Sequence, residues 1–575
     1  MLETRLKTLL RAIYPEHDIA ALTLRVMECF FPDNKDRRDQ PREPDNHGVW
    51  SEDDVVLITY GNSIISGEHK PLDLLRDFLD RYCMTGFSGV HILPFFPFTS
   101  DEGFSVTDYE RVNPVLGDWP DIERIGSDFK LMSDLVLNHV SSQGAWFSAY
   151  LQQQEPYKDY FLECDPDEDL SDVVRPRTSD LLRRVETASG PRHVWCTFSH
   201  DQVDLNFANP DVLIEFLNII RLHMSYGVKI IRLDAIAFIW KELGTPCIHQ
   251  AETHSIVQLI RLLLDFHAEP IVLLTETNVP NAENISYFGM RNEAHSIYNF
   301  SLPPLLAHAL IKGTSTHLNA WQMAMPPAPL GCAYLNFSAS HDGIGMRPAE
   351  GLLPETDIDL MLDKTREHLG EVSMRTMPDG SERPYELNIT LFDLLTSTIA
   401  GADEFHFERF ICSQTIVLAL EGIPAIYIHA LLATENDYEA VEKTSVKRSI
   451  NRHRWHYPEL QNALSDPEAV HSRSLQEISR RAAIRRSTPA FHPNATQYTI
   501  QLDEAFFGFW RQSLTRDQSV FAVHNLTNQE QNLPPRALNL IAGHAWSDLL
   551  NGEQIDPLQT EIVFAPYQCR WITNT

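Results

Sequence analysis

The chain has 575 residues, more than one hydrophobic core usually supports, so we expect a large domain with smaller satellites. Apolar residues make up 43% of it and charged residues 22%, and no run of eighteen apolar residues occurs, which argues against a membrane span. The formal net charge of −32 excludes nucleic acid as a partner, because a polyanion would be repelled.

The amino terminus is typical of an amphipathic helix. MLETRLKTLLRAIYPEHD alternates charged residues with leucine and has no uninterrupted apolar stretch, so it does not read as a secretory signal. We expect a helical extension over 1–50 that ends in the charged, proline-containing linker DNKDRRDQPREPDN. The eight cysteines show neither CxxC nor zinc-ligand spacing, and without an export signal they are expected to be reduced. We therefore expect a cytoplasmic protein.

Eight apolar runs of strand length follow, and helix-length amphipathic segments separate them. In chain order they are VVLITY (55–60), GVHILPF (89–95), KLMSDLVLNH (130–139), VKIIRLDA (228–235), IVLLTET (271–277), SIYNF (296–300), AYLNFSASHD (333–342) and PAIYIHA (424–430). Short apolar strands alternating with helices predict parallel βα units, and eight such units predict a closed (β/α)8 TIM barrel, an α/β fold.

The barrel is predicted to be interrupted by two insertions. Its parts are expected at 51–139, 208–342 and 401–494, with insertions at 140–207 after the third strand and 343–400 after the seventh. Both insertions leave from the carboxyl ends of strands, where barrel enzymes keep their loops and active sites. Over 495–575 the chain changes to short alternating runs such as QYTIQL and SVFAVHNL, which predict a small antiparallel β domain.

Polar residues end several of the predicted barrel strands. Asp234 ends IIRLD, and Arg232, two residues earlier, points to the same face because side chains alternate along a strand. The other strand ends supply Glu276, His139, His341 and Asp342. Three carboxylates, an arginine and two histidines are therefore predicted at one mouth of the barrel.

This set of residues suits glycoside chemistry. A retaining glycosidase needs one carboxylate as nucleophile and a second, with a raised pKa, to protonate the leaving oxygen. We predict Asp234 as the nucleophile, whose pKa Arg232 should lower, and Glu276 as the acid/base, whose pKa desolvation should raise. Asp342 would bind sugar hydroxyls most strongly in the distorted, oxocarbenium-like state.

Two other interpretations of these residues are open. A single strand-terminal aspartate is more often a cap or a loop anchor, whereas four ordered strand ends together favour a functional site. Metal binding by His139, His341 and Asp342 is the competing function, but no HxH or HExxH spacing accompanies them. No glycine-rich phosphate loop or dinucleotide motif is present, so neither a metal nor an organic cofactor is expected.

The motifs DLVLNH, IRLDA, TETN and SASHD resemble, in order, those of glycoside hydrolase family 13. The resemblance narrows to sucrose phosphorylase and its relatives on GVHILPFFPF, DEGFSVTDY, RPR (175–177), VWCTFSHDQVDLNF, LPPLLAHAL, SHDGIGMRP, GLLPETDID and INRHR, and it covers 52–490. It implies that Asp234 takes the glucosyl group while Glu276 protonates the departing acceptor. Phosphate, as co-substrate, would replace water as the second nucleophile and yield α-glucose 1-phosphate.

The same resemblance implies the binding residues. Those on the glucosyl side are Asp101 and Arg452 at the far side of the ring, His139 and His341 on its hydroxyls, Phe104 as an apolar platform, and Arg232 behind Asp234. Arg177 and Tyr385 would lie on mobile loops that alternate between acceptor and phosphate. Further substrate-binding positions are Phe198, Phe238, Asn278 and Glu386.

The acceptor side departs from the sucrose pattern. Phe238 stands where sucrose phosphorylases have tyrosine and Asn278 where they have histidine, and RPYELN carries Arg383 and Glu386 in place of an aspartate and a glutamine. With the amino-terminal extension, these changes resemble the glucosylglycerate phosphorylase branch, which implies reversible phosphorolysis of 2-O-α-glucosylglycerate. Glucosylglycerol, sucrose and sucrose 6'-phosphate remain the alternative substrates.

Charged residues near the acceptor favour an anionic acceptor in some cases and a neutral one in others. Cations available to an anionic acceptor are Arg177, Lys241, Arg347 and Arg383. Glu386 would repel glycerate unless it is paired, and would suit neutral glycerol better. Mutual pairing of these charges at the surface is the alternative interpretation.

Two functions from other classes are also open. A hydrolase or transglucosidase of the same clan would act without phosphate, and a silent binding protein would be expected to have lost one of Asp234, Glu276 and Asp342, all of which are present. The expected partners are a small glucoside and phosphate, with neither nucleic acid nor a membrane. The sequence leaves the oligomeric state open, a homodimer included.

Overall fold

The protein, analysed as a computed structural model, is described over residues 1–33, 35–42, 49–377, 379–541 and 543–574. Its centre is a closed barrel of eight parallel strands in which each strand pairs with its neighbours in sequence and the last closes on the first. The strands are β1 (Val56–Thr59), β2 (Gly89–Ile92), β3 (Lys130–Val136), β4 (Val228–Asp234), β5 (Val272–Thr275), β6 (Ser296–Tyr298), β7 (Ala333–Asn336) and β8 (Ile423–Tyr427). All eight predicted strands and the barrel are confirmed.

Helices surround the barrel on its outer side. Those that follow β1 to β8 in turn are Pro71–Phe78, Trp119–Gly126, Pro210–Ser225, Ala251–Asp265, Asn281–Ile285, Leu302–Lys312, His406–Ala419 and Val470–Arg486. Further helices are Ala145–Leu151, Thr316–Ala324, Glu355–Glu367, Tyr438–Thr444 and Tyr457–Ser465. β1, β2 and β5 are buried along their whole length, which is why parallel barrel strands read in sequence as continuous apolar runs rather than as alternating patterns.

The two insertions form small sheets above the carboxyl ends of the strands. The first pairs His139–Ser141 with Gln202–Asp204 and adds a hairpin of Leu182–Thr187 and Gly190–Trp195. The second is an antiparallel sheet in which Glu382–Asn388 lies between Ile344–Gly345 and Glu371–Thr376. The RPYELN segment is therefore a strand, and the prediction of a loop there is wrong.

The carboxyl-terminal part is the predicted antiparallel β domain. Its six-stranded sheet consists of β9 (Thr496–Thr499), β10 (Phe506–Gln512), β11 (Ser519–Asn525), β12 (Trp546–Asp548), β13 (Gln554–Ile555) and β14 (Cys569–Thr573). The order is β9–β10–β11–β14–β12–β13. One face of it buries Phe507, Phe509 and Trp571 in the same core as the barrel helices, so the domain is fixed to the barrel.

The amino-terminal extension packs on the outer helices of the barrel. α1 (Leu2–Ile13) buries Leu2, Leu6, Leu10 and Ile13, one face at helical spacing, against the helix after β4. α2 (Ile19–Phe30) packs on the helix after β3. The predicted linker begins after α2, and its residues 34 and 43–46 lie outside the described residues. No described helix is both long and apolar enough to cross a membrane.

Candidate active site

A cavity opens at the carboxyl ends of the barrel strands. The sequence-predicted site residues that line it are Asp101, Phe104, His139, Arg177, Phe198, Asp234, Phe238, Glu276, Asn278, His341, Asp342, Tyr385 and Glu386. The two remaining predictions, Arg232 and Arg452, lie directly behind lining residues. These lining residues, from eight separate segments of the chain, thus meet where barrel enzymes place their chemistry.

A buried charge ladder supports Asp234. Arg232 on β4 donates from Nη1 to Oδ1 of Asp234 at 2.7 Å and also binds Asp134, its register partner on β3. Asp134 in turn accepts a hydrogen bond of 2.6 Å from Nε2 of His91 on β2. Because each group in the ladder is buried and held by the next, Asp234 has one fixed orientation at the end of its strand.

Ala235 connects the strand that ends in Asp234 to Glu276. Its φ of 48° places it in the left-handed region, which is strained for a residue with a side chain. This turn directs the backbone N–H of Ala235 to Oε2 of Glu276 at 2.9 Å. Glu276 follows β5 directly, and its own N–H donates to the carbonyl of Leu233 on β4. The two carboxylates are therefore positioned by the same pair of strands.

Burial raises the pKa of both Asp234 and Glu276. The prediction of a lowered pKa for Asp234 is wrong, because Arg232 shares its charge with Asp134 and cannot offset burial and the nearby negative charge of Glu276. The raised pKa of Glu276 is as predicted. Arg232 donates directly to Asp234, as expected for a carboxylate that has to act in its ionised form.

Asp342, the third carboxylate, is held by cations. Nη1 of Arg448 lies 2.8 Å from Oδ1 of Asp342, and Nη2 of Arg452 lies 3.7 Å from the same oxygen. Burial alone would raise the pKa of Asp342, but Arg448, His341 and Arg452 together lower it. Burial lowers the pKa of His341 to about 3, so its imidazole is neutral at physiological pH. Asp342 is thus an ionised acceptor beside a neutral histidine.

The glucosyl side of the cavity has a flat aromatic floor. The rings of Phe104 and His341 stack at 5.0 Å with an interplanar angle of 3°. His139 donates from Nε2 to the carbonyl of Phe104 at 3.0 Å. Arg452 donates from Nη1 to Oδ1 of Asp101 at 3.4 Å, and its side chain is fully buried. An apolar face edged by carboxylates, histidines and arginine is the usual surroundings of a sugar ring.

Tyr385 and Glu386 are neighbours in sequence, yet both line the cavity. Regular strands point successive side chains to opposite faces. Here Ser373 pairs with Glu386 and Met374 with Pro384, so Tyr385 is the extra residue of a β-bulge. The bulge turns both side chains to one side. The guanidinium of Arg177 lies 5.0 Å above the Tyr385 ring and 5.9 Å from that of Phe198.

Arg448 is the charged residue that sequence reasoning missed. Its Nε donates to Oε2 of Glu386 at 3.0 Å and its Nη2 to Oε1 at 2.5 Å, while its Nη1 contacts Asp342. The signal was present in the run KRSINRHR, of which only the second half was interpreted. Other lining residues that were not predicted are Gln202, Ala235, Ala237, Thr277 and Val279.

Of the four cations predicted near the acceptor, only Arg177 lines the cavity. Lys241 is buried and bound to Asp204 at 2.5 Å and to Asn138 at 2.7 Å. The other two pair elsewhere: Arg347 with Glu283 at 3.6 Å and Arg383 with Glu355 at 3.0 Å. Their availability to the acceptor is therefore a wrong prediction. Among the described residues, no cluster of histidine, cysteine, aspartate or glutamate could hold a metal ion.

The arrangement is equipped for a double displacement. A fixed carboxylate, a second carboxyl with a raised pKa, and an ionised third carboxylate surround an aromatic floor. Residues 77–328 match the family model of the α-amylase catalytic domain. The chain is 42% identical to the glucosylglycerate phosphorylase of Spirochaeta thermophila, over 90% of each chain, and 42% identical to that of Allomeiothermus silvanus, over 92% of each.

A solved structure is similar as well. The crystal structure of sucrose 6F-phosphate phosphorylase from Thermoanaerobacter thermosaccharolyticum matches with a TM-score of 0.71 and 25% identity, over 82% of this chain and 94% of that one. The chain therefore belongs to the α-amylase family, glycoside hydrolase family 13. Within that family it belongs to the sucrose phosphorylase-like subfamily.

Proposed function

We propose that the protein is a retaining glucoside phosphorylase that converts 2-O-α-glucosylglycerate and inorganic phosphate reversibly into α-glucose 1-phosphate and glycerate. The observation that carries the choice of an anionic acceptor is the state of Arg177. Its guanidinium lines the cavity, and its nearest carboxylate oxygen, Oε1 of Glu386 at 3.9 Å, is already bound by Arg448. An anion can therefore pair with Arg177 without meeting an unpaired carboxylate. The names of the two curated relatives support the same substrate.

The reaction follows from the positions of the carboxylates. Asp234 attacks the anomeric carbon while Glu276 gives its proton to the departing glycerate oxygen. An oxygen of hydrogen phosphate then attacks the anomeric carbon and breaks its bond to Asp234. Glu276, now ionised, takes up the proton that the phosphate loses. Two successive inversions at the anomeric carbon retain its α configuration. Asp342, ionised and held by Arg448, binds ring hydroxyls most strongly as positive charge develops on the sugar.

Assays of glucose 1-phosphate and free glucose test this proposal. The purified protein is given glucosylglycerate, glucosylglycerol and sucrose separately, with and without inorganic phosphate. We expect glucose 1-phosphate only when phosphate is present, and fastest from glucosylglycerate. Free glucose formed equally without phosphate would identify a hydrolase or transglucosidase. Faster phosphorolysis of glucosylglycerol or sucrose would mean that glycerol or fructose, and not glycerate, is the acceptor.

The reactants and the cellular compartment are also inferred. The reactants are a small glucoside and phosphate, and no metal or organic cofactor takes part in the steps above. We place the enzyme in the cytoplasm, where phosphorolysis conserves the energy of the glycosidic bond as a sugar phosphate. The free state of all eight cysteines suits a reducing compartment.

A further inference from the structure

Two arginines converge on one carboxylate oxygen in the acceptor half of the cavity. Oε1 of Glu386 lies 2.5 Å from Nη2 of Arg448 and 3.9 Å from Nη1 of Arg177. The Glu386 side chain is 2% exposed, so its charge is neutralised almost entirely by these two neighbours. Burying such a carboxylate costs free energy unless nearby cations offset its charge.

The two arginines are held very differently. Arg448 makes two hydrogen bonds to Glu386 and contacts Asp342 with its third nitrogen, and its side chain is 14% exposed. Arg177 is 26% exposed and rests on the rings of Phe198 and Tyr385, and its one hydrogen bond within the described residues goes to the carbonyl of Pro176. Arg448 is therefore fixed, and Arg177 can turn toward a ligand.

The charges leave one net cation for the ligand. Glu386 offsets the charge of Arg448, so that an incoming anion meets Arg177 as its single uncompensated partner. With a neutral residue at position 386, Nε and Nη2 of Arg448 would lose their carboxylate and face the same ligand as Arg177, while Nη1 of Arg448 would keep its contact with Asp342. Electrostatic attraction at this separation is strong in a partly enclosed site, so the second cation would tighten anion binding.

We propose that Glu386 is a specificity-determining residue that weakens the hold of the acceptor subsite on anions, because it occupies Arg448. This inference rests on the proposed function, in which glycerate has to leave before phosphate can enter the same place. Without Glu386 between them, Arg177 and the free nitrogens of Arg448 would retain either anion and slow this exchange. Glu386 thus allows an anion to be recognised by Arg177 and still released.

Binding measurements on matched variants test this role. Inorganic phosphate, D-glycerate and glycerol are titrated calorimetrically into the wild type, Glu386→Gln and the control Glu355→Gln, which breaks the exposed pair with Arg383. In Glu386→Gln we expect phosphate and glycerate to bind about threefold to tenfold more tightly, with glycerol unchanged. In Glu355→Gln all three affinities should stay at the wild-type values. The inhibition of phosphorolysis by glycerate should strengthen by the same factor in Glu386→Gln.

The double variant Glu386→Gln/Arg448→Gln removes both charges and is the second arm. It leaves no unpaired buried charge at this pair and should return phosphate and glycerate affinity to wild-type values, also where the single variant fails to fold. Anion affinity that is unchanged or weaker in Glu386→Gln, a change for glycerol equal to that for glycerate, or a double variant that differs from the wild type would each overturn the inference. Phosphate binding is measured without glucosylglycerate, so a wild type that does not cleave that substrate would refute the proposed function alone.

Discussion

The backbone N–H of Ala235 and the side chain of Glu276 are joined by a hydrogen bond of 2.9 Å, which connects the residue after the nucleophile directly to the acid/base. The bond depends on the left-handed turn at Ala235, where φ is 48°. A strained residue at this position is maintained by the surrounding fold and sets the height of Glu276 above the strand ends. The geometry of acid catalysis is therefore built into the backbone.

Replacing Glu276 with Gln should remove proton transfer and keep the fold. We expect phosphorolysis of glucosylglycerate to fall by about 10²–10⁴-fold, because the glycerate oxygen then leaves unprotonated. α-Glucosyl fluoride, whose leaving group needs no proton, should be turned over at a rate much closer to that of the wild type. Rates with both substrates and the same phosphate concentration check this. An equal loss with both would mean that Glu276 is not the acid.

The pH dependence follows from the same residue. Burial raises the pKa of Glu276, so the folded protein holds this proton more tightly than the unfolded chain does. The part of the unfolding free energy that comes from this proton is fully present below the ordinary glutamate pKa. It is lost as pH rises through the raised pKa of the folded state. kcat/KM for glucosylglycerate should decline over the same upper range. In Glu276→Gln the decline in kcat/KM should be absent, and the loss of melting temperature should be smaller, because Asp234, whose pKa burial also raises, still contributes.

Replacing Asp234 with Asn should abolish turnover without unfolding the protein. We expect a loss of about 10⁴-fold or more, since no nucleophile remains for the glucosyl group. Folding should persist because Arg232 keeps its bond to Asp134 inside the charge ladder. Circular dichroism melting and a phosphorolysis assay measure the two effects. A folded variant with wild-type rates would refute the assignment of the nucleophile.

The sequence predicted the barrel because its strands are buried on both faces and read as apolar runs. It predicted Asp234, Glu276 and Asp342 as site residues because they follow such runs. Arg448 could not be found in this way: its partner Glu386 is 62 positions away, and the contact exists only after the segment that follows β8 meets the second insertion. The family resemblance alone places Tyr385 on a loop, whereas the bulge beside Pro384 lets a strand carry it.

The pair of Arg448 and Glu386 should behave as a unit in stability measurements. Arg448→Gln leaves Glu386 buried without its main partner, which is expected to cost about 3–5 kcal/mol of unfolding free energy. The double variant with Glu386→Gln should recover most of that loss. Denaturant unfolding of the wild type, of both variants and of Glu386→Gln gives the double-mutant cycle. Additive losses would contradict the coupling seen in the hydrogen bonds.

Activity should not recover together with stability in that double variant. Once Arg448 is gone, Asp342 keeps Arg452 at 3.7 Å and the neutral His341 ring at 3.4 Å. Since Arg448 is the main cause that lowers the pKa of Asp342, that pKa should rise, and the double variant should lose additional kcat/KM at acid pH, where Asp342 then gains a proton. Comparing kcat/KM against pH for the wild type and the double variant measures the shift. An unchanged acid limb would show that Arg448 does not act on Asp342.

The amino-terminal extension should contribute stability rather than catalysis. Leu10 of α1 is fully buried against the helix after β4, far in sequence from any residue that lines the cavity. Leu10→Ala removes this packing and should cost about 2–5 kcal/mol, while Thr8→Ala on the exposed side of the same helix should cost little. At 25 °C the kcat of folded Leu10→Ala should equal that of the wild type. Melting curves and rates of both variants decide this, and a fall in kcat without a fall in melting temperature would place α1 in the catalytic machinery instead.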